Sequence, residues 1–265
     1  LSGLVPGALA FILADHISWQ SVFLIVASFM LIGIFLSLSI KELNNAPQAP
    51  KTLQDAIVLP FKDFINRKGT KAALQILAFL FLYKLGDSMA TALQTPFFID
   101  LGFTKTEIGV VAKTASLIAM TIGLAVGGIV MIKLSINRAL WLFGVVQIIS
   151  ILGFAALAEI GHNTYALAMA MGFEYLGVGL GTAAFTAFIA RTTNPAFAAT
   201  QFALFTALTA LPRTFANATT GVIVEQVGWT NFYFLCTVLA IPGMLMLFKV
   251  APWREPAKQI PQETT

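Results

Sequence analysis

Lys84, Asp87, Lys113, Glu174 and Arg213 are ionisable side chains set inside stretches that are otherwise hydrocarbon. A charge near the centre of a bilayer costs roughly 2.5–3.5 kcal/mol on insertion scales, so five standing alone would cost on the order of 12–18 kcal/mol. Such groups persist where they face a protein interior or a wet cavity and find partners there. Their chemistry is then ion binding or proton carriage across an apolar layer. Lys84, Asp87, Thr91 and Gln94 fall at i, i+3, i+7 and i+10. That spacing makes one helical face polar along its length, and lipid would reject it. The alternative for Lys84 and Asp87 is mutual neutralisation within one helix, which still requires the pair to point inward.

The other three stand on separate segments. Lys113 follows the boundary residue Glu107 and has Ser116 and Met120 on its side. It either serves a cavity or snorkels to the interface. Glu174 lies mid-span in Phe173-Glu174-Tyr175, among Gly172, Gly177, Gly179 and Gly181. The glycines read as close helix packing, with Gly177 and Gly181 a small-xxx-small pair. A carboxylate at that depth could take up a proton in one conformation and release it in another. Arg213 follows Pro212, and Thr206, Thr209, Arg213, Asn217 and Thr220 form a second polar stripe. Pro212 removes a helix hydrogen bond and favours a kink. A guanidinium there suits bidentate binding of a carboxylate, the alternative being a salt bridge to Glu174. Three positive against two negative charges suggest an anionic substrate. His16 and His162 fall in loops. No metal-ligand spacing, phosphate-binding glycine loop or catalytic constellation appears, so no cofactor, metal or enzyme activity is expected.

The elements that must position these groups are apolar. The 265 residues are 58% hydrophobic and 11% charged, against about 25% charged for a soluble domain. Mean hydropathy is +0.84. An all-α, polytopic membrane protein follows, because lipid tolerates no unpaired backbone. The net charge of +4 does not indicate nucleic acid, since the basic residues flank apolar runs. The single cysteine, Cys236, reads as a small apolar packer.

Leu1–Leu13 is apolar but too short to cross alone, and lacks the basic start of a signal peptide. The expectation is a chain whose first half precedes it. Trp19–Ile40 is a full span. Residues 1–40 thus read as the last one and a half helices of an N-terminal half. Residues 41–72 read as a linker with Pro47, Pro50 and Pro60, in which Leu53–Phe64 forms a surface-lying amphipathic helix. Residues 73–250 read as a six-helix bundle with spans near 73–99, 107–132, 139–158, 164–190, 200–224 and 230–249. Residues 251–265 read as a tail. Gly86 and Pro96 are weak points in the first of these six. Twelve of the 16 Lys and Arg fall on the side of the linker and tail, and Lys105 alone on the other, so linker and C-terminus are expected to be cytoplasmic. Asp15, Trp19, Phe23 and Gly33 match Glu225, Trp229, Tyr233 and Gly243 at a constant offset. Parallel six-helix halves related by an axis along the membrane normal are the major facilitator architecture.

Several segments resemble bacterial anhydromuropeptide permeases of the AmpG type. These are Tyr83-Lys84-Leu85-Gly86-Asp87-Ser88-Met89-Ala90, residues 101–109, Gly179–Ile189, Ala199–Leu204, Ala210-Leu211-Pro212-Arg213 and Val227-Gly228-Trp229. The resemblance covers nearly all of residues 1–250. Gly127-Gly128 leading to Lys133–Arg138 resembles the basic loop motif of the wider superfamily, without its aspartate. The resemblance implies a proton-driven importer in the inner membrane of a Gram-negative bacterium. The implied cargo is GlcNAc-anhydroMurNAc, with or without stem peptide, for peptidoglycan recycling and the induction of a β-lactamase. Lys84, Lys113 and Arg213 would hold the anion, and Gln94 and Asn217 complete the polar faces. Tyr83, Phe173 or Tyr175 would stack on sugar rings, while Asp87 or Glu174 carries the proton. The expected partners are that small molecule, protons, membrane lipid and the preceding half. Two other functions remain open: a proton-coupled exporter of drugs or metabolites, and a membrane sensor or assembly partner that transports nothing.

Overall fold

The computed structural model describes residues 17–39 and 53–253 of the chain, which divides into two compact units, Leu1–Ala49 and Pro50–Thr265. Asp15 of the repeat, His16, Ile40, the run Leu1–Leu13 and the tail from Arg254 onward lie outside the described residues. In the first unit, α1 (Trp19–Ser28) and α2 (Met30–Ser39) meet at Phe29, whose N–H bonds the carbonyl of Val26 at 3.2 Å. Together they make a 21-residue apolar run, long enough to cross a bilayer. The Trp19 and Phe23 rings are 5.9 Å apart, and their repeat partners Trp229 and Tyr233 are 6.3 Å apart.

The second unit is helical throughout its described residues. Its elements are α3 (Leu53–Lys68), α4 (Thr70–Ala92), α5 (Gln94–Asp100), the three-residue α6 (Lys105–Glu107), α7 (Lys113–Lys133), α8 (Ile136–Ile160), α9 (Thr164–Thr192) and α10 (Ala198–Val250). A π-helical turn, Ile108–Ala112, leads into α7. A short 3-10 turn, Pro195–Phe197, precedes α10.

Two breaks shape these helices. The span from residue 73 is interrupted at Leu93 (φ −112°, ψ 28°). Pro96 has no N–H for the carbonyl of Ala92 and its ring crowds that turn, so the helix yields three residues upstream. Gly86 is no break at all. It lies mid-α4 where a Cβ would stand 2.6 Å from the Ala240 Cβ. The second break is at Gly228, whose φ of 76° no L side chain adopts comfortably. It splits α10 into two arms, residues 198–227 and 229–250.

Contacts fix the two arms as a hairpin. At one end of the bundle, Phe205 of the first arm packs on Phe64 of α3, and Trp141 Nε1 donates to the carbonyl of Ala251 just past the second arm. The same end holds Arg67 against the carbonyl of Thr192, Arg191 against Asn137, and Asn137 against the carbonyl of Pro252. At the other end, Trp229 Nε1 donates to Asp100 Oδ2 at 3.1 Å and Thr230 Oγ1 to Glu159 Oε1 at 2.7 Å. With the two arms of α10 counted separately, six helical passes run from α4 to its second arm, over five helices long and apolar enough for a membrane.

The linker helix runs one turn beyond the expected Phe64 and is docked on the bundle. Fully buried Gln201 donates from Nε2 to the carbonyl of Pro60 and to Asp63 Oδ2, and accepts from the Asn194 N–H at 2.7 Å. Inside the bundle the aromatic core has two parts. Phe97, Phe98, Phe154, Phe232 and Tyr233 fill the far end. Phe64, Phe79, Tyr83, Phe143, Phe185 and Phe188 fill the linker end. On α8 the two parts meet between Phe143 and Ile151, and on α9 between Met171 and Leu180. The buried polar residues Gln147, Ser150 and Glu174 occupy that junction.

Candidate functional site

The junction gathers side chains from four helices. On α4, Lys84 Nζ lies 3.4 Å from Asp87 Oδ2, with both side chains largely buried. The mutual neutralisation weighed from spacing is thus present, but it is incomplete. Asp87 Oδ1 is buried and has no hydrogen-bond donor. The Lys84 ammonium also sits 5.9 Å from the centre of the Phe185 ring, within cation–π range.

Glu174 enters from α9 and is fully buried. Its Oε2 accepts from Ser150 Oγ of α8 at 2.6 Å, while Oε1 has no donor. The Asp87 carboxyl is within side-chain hydrogen-bonding reach of Glu174. Ser150 and Gln147 were not singled out from sequence. The signal available was two polar residues at i, i+3 within an apolar run, a weak one where a hydroxyl can satisfy itself on its own helix. Ser150 Oγ does also reach the carbonyl of Gln147, at 2.8 Å. Gln147, with Tyr83, Asp87, Gly144 and Met244, lines a cavity of about 10 Å³, room for the centre of one water molecule.

The far part of the polar α4 face is read by two other helices. Thr91 Oγ1 donates to the carbonyl of Asp87 at 2.8 Å and accepts from Arg213 Nη1 of α10 at 3.0 Å. Gln94 Oε1 accepts from Tyr175 Oη of α9 at 3.0 Å. Arg213 is otherwise exposed on the bundle surface, as is Asn217 one turn on. No Arg213–Glu174 salt bridge forms among the described residues, since Glu174 is held by Ser150 instead. The second stripe splits: Thr220 is buried and bonds the carbonyl of Ala216 within its own helix, and Thr206 and Thr209 likewise bond their own backbone.

Three residues expected at the site lie elsewhere. Tyr83 is 5% exposed, stacks on Phe185 and donates its hydroxyl to the carbonyl of Leu140 at 3.0 Å. A ring enclosed in this way has no free face for a sugar, so Tyr83 is a packing residue beside the site. Phe173 lines a shallow groove of apolar residues with Gly153, Ala156, Ile160 and Met169. Lys113 is exposed directly after the π-helical turn, and its side chain makes no hydrogen bond or ion pair among the described residues. Cys236 is fully buried, as an apolar packer should be.

The arrangement can do two things chemically. The buried pair of carboxyls with one ammonium is able to hold a proton. The guanidinium on Thr91 is able to take an anion from the open face. The two lie one helical turn apart on α4, where Thr91 holds Arg213 through its hydroxyl and bonds the backbone carbonyl of Asp87.

The sequence profile of the Major Facilitator Superfamily matches residues 1–216. An uncharacterised protein of Haemophilus influenzae is 46% identical over 264 residues, 96% of this chain and 62% of its own length. The anhydromuropeptide permease of Escherichia coli K12 is 40% identical over 249 residues, 93% of this chain and 50% of its own. A Rickettsia conorii protein carrying the transporter name AmpG 4 is 30% identical over 251 residues, 92% of this chain and 60% of its own. The chain thus spans between 50% and 62% of the length of these relatives.

Proposed function

Because the chain belongs to the major facilitator superfamily, we propose that it is the C-terminal transport unit of a proton-coupled importer of anhydromuropeptides. The carrying observation is the Lys84–Asp87 pair with fully buried Glu174 inside a bundle of membrane-spanning helices, with exposed Arg213 beside them on Thr91. The similarity to a named anhydromuropeptide permease over 93% of the chain supports the cargo. Cargo of that kind carries carboxylates, and Arg213 and Lys84 are matched to them. Tyr175, Gln94 and Asn217 supply hydrogen bonds and an aromatic edge for the sugar, while exposed Lys113 stands apart from them. Asp87 and Glu174 carry the proton.

Import follows by alternating access at the midplane, one six-helix half rocking against another. The residues described here bind and orient the anion on one side of that site. They also keep the carboxyls dry, so that protonation responds to what is bound rather than to bulk pH. On this reading the protein sits in the bacterial inner membrane with residues 41–72 and the C-terminus in the cytoplasm.

In the full-length protein, Arg213→Ala should abolish uptake of labelled anhydromuropeptide while its level in the membrane is unchanged. Normal uptake by that variant removes the arginine from the mechanism. Unchanged muropeptide recycling in a strain lacking the protein, with altered drug tolerance alone, makes it an exporter instead.

A further inference from the structure

Ser150 Oγ has one hydrogen and two acceptors, the carbonyl of Gln147 at 2.8 Å and Glu174 Oε2 at 2.6 Å. The serine hydrogen occupies Glu174 Oε2 and leaves Oε1 as the oxygen open to a proton. Asp87 Oδ1 and Glu174 Oε1 are buried without a donor, on two carboxyls that lie within hydrogen-bonding reach of each other. Buried polar atoms are rarely left unpaired. Two ionised carboxylates so close would repel in a site with few other charges. A single proton removes that conflict and gives the orphaned oxygens a shared hydrogen.

Charge balance points to the same number. The groups facing Glu174 are Lys84 and Asp87 from α4, Ser150 from α8, Tyr175 from its own helix, and Tyr233 and Cys236 from the second arm of α10, with Arg213 beyond Tyr175. Of these only Lys84 makes an ion pair, 3.4 Å from Asp87. Arg213 is engaged by the hydroxyl of Thr91. One ammonium against two carboxyls leaves room for one proton. We propose that Asp87 and Glu174 form a two-carboxyl site that holds one exchangeable proton between them, neutralised by Lys84, and that Ser150 is the positioning residue that turns Glu174 toward Asp87.

This deepens the proton coupling proposed above and rests on it, but it can be read without any cargo. The test is infrared difference spectroscopy on the full-length protein at neutral pH, following the carboxylic-acid C=O band. Asp87→Asn leaves one carboxylate for Lys84, and so does Glu174→Gln. A shared proton therefore predicts loss of the same acid band in either variant. A band that survives Asp87→Asn overturns the proposal, because a proton belonging to Glu174 alone would persist there. The Asp87→Asn spectrum decides the matter even where Glu174→Gln does not fold. Ser150→Ala should shift the pH at which the band titrates, and Ser150→Thr should restore it. An unshifted titration in Ser150→Ala removes the serine from the proposal. Failure of the wild type to take up muropeptide would count against the cargo and leave these spectra as informative as before.

Discussion

Glu107 shows how one side chain can close a turn at the bundle's far end. Its Oε2 accepts from the Thr104 N–H at 2.9 Å and from Thr104 Oγ1 at 2.8 Å, and its own N–H donates back to Thr104 Oγ1. This is a capping box, readable as Thr104-Lys105-Thr106-Glu107, although charge at a boundary alone suggested only an interfacial residue. The backbone and side-chain bonds from Thr104, then His162, hold the Glu107 carboxyl down at about 2 from an ordinary 4.5. A lowered value in the folded state means that ionised Glu107 stabilises the fold above pH 4.5 and that this contribution is lost as pH falls toward 2. Glu107→Gln should therefore lower Tm by a constant amount at neutral and mildly acidic pH. The gap to wild type should then close as acidification proceeds below 4.5. Melts of detergent-purified protein across that range check it, and a gap independent of pH refutes it. His162→Gln should move Tm less than Thr104→Ala, following the order of the causes. The residue scale is also where sequence spacing was most informative. Lys84, Asp87 and Thr91 lie together on α4, whereas Gln94 falls past the break at Leu93. Spacing carried no information on their partners, because Arg213 and Tyr175 come from helices distant in the chain.

Helices in this bundle meet through glycine, and the structure separates glycines that the sequence could only group. Gly243 on the second arm of α10 lies against α4, where an added Cβ would stand 2.6 Å from the Tyr83 Cα and 2.7 Å from the Leu82 carbonyl oxygen. Backbone cannot move aside as a flexible side chain does. Gly243→Ala should cost about 1–3 kcal/mol through overpacking. Gly172 has no atom within 4 Å of such a Cβ. Gly172→Ala should be neutral or stabilise by up to about 1 kcal/mol, the helix-propensity difference. Chemical-denaturation midpoints in mixed micelles measure both. Equal effects at the two sites would mean that the α4–α10 contact does not limit stability. The same contrast explains what was legible at this scale. Length and hydropathy located every crossing of the second unit, since a bilayer fixes both. The break at Leu93 and the uninterrupted helix through Gly86 depended on which neighbour each turn meets. A one-dimensional pattern does not hold that.

Across the whole second unit, charge is sorted by end. Lys62, Arg67, Lys68, Lys71, Lys133, Arg138, Arg191 and Lys249 belong to the end where α3 docks, whereas Asp100, Glu107, Glu159 and Glu225 belong to the other. Basic residues next to membrane spans are retained in the cytoplasm, so the proposed orientation puts α3 inside. The docking of α3 by Gln201, Asp63 and Arg67 means that this helix is held against the end of the bundle and is not free on the lipid surface. Two cysteine substitutions test the orientation, and the native Cys236 gives little background because it is fully buried. Gln226, near the hairpin at Gly228, and Lys133, at the end of α7, are both exposed. Neither makes a side-chain bond among the described residues, so neither change should disturb folding. In intact cells whose outer membrane has been opened, a membrane-impermeant maleimide should label Gln226→Cys at once. Lys133→Cys should be labelled only after the inner membrane is permeabilised. The opposite order would invert the bundle, expose its basic end to the outside, and contradict uptake into the cytoplasm as drawn here. Labelling of both before permeabilisation would mean that the Gly228 hairpin does not return the chain across the bilayer, and the six-crossing topology would fall with it.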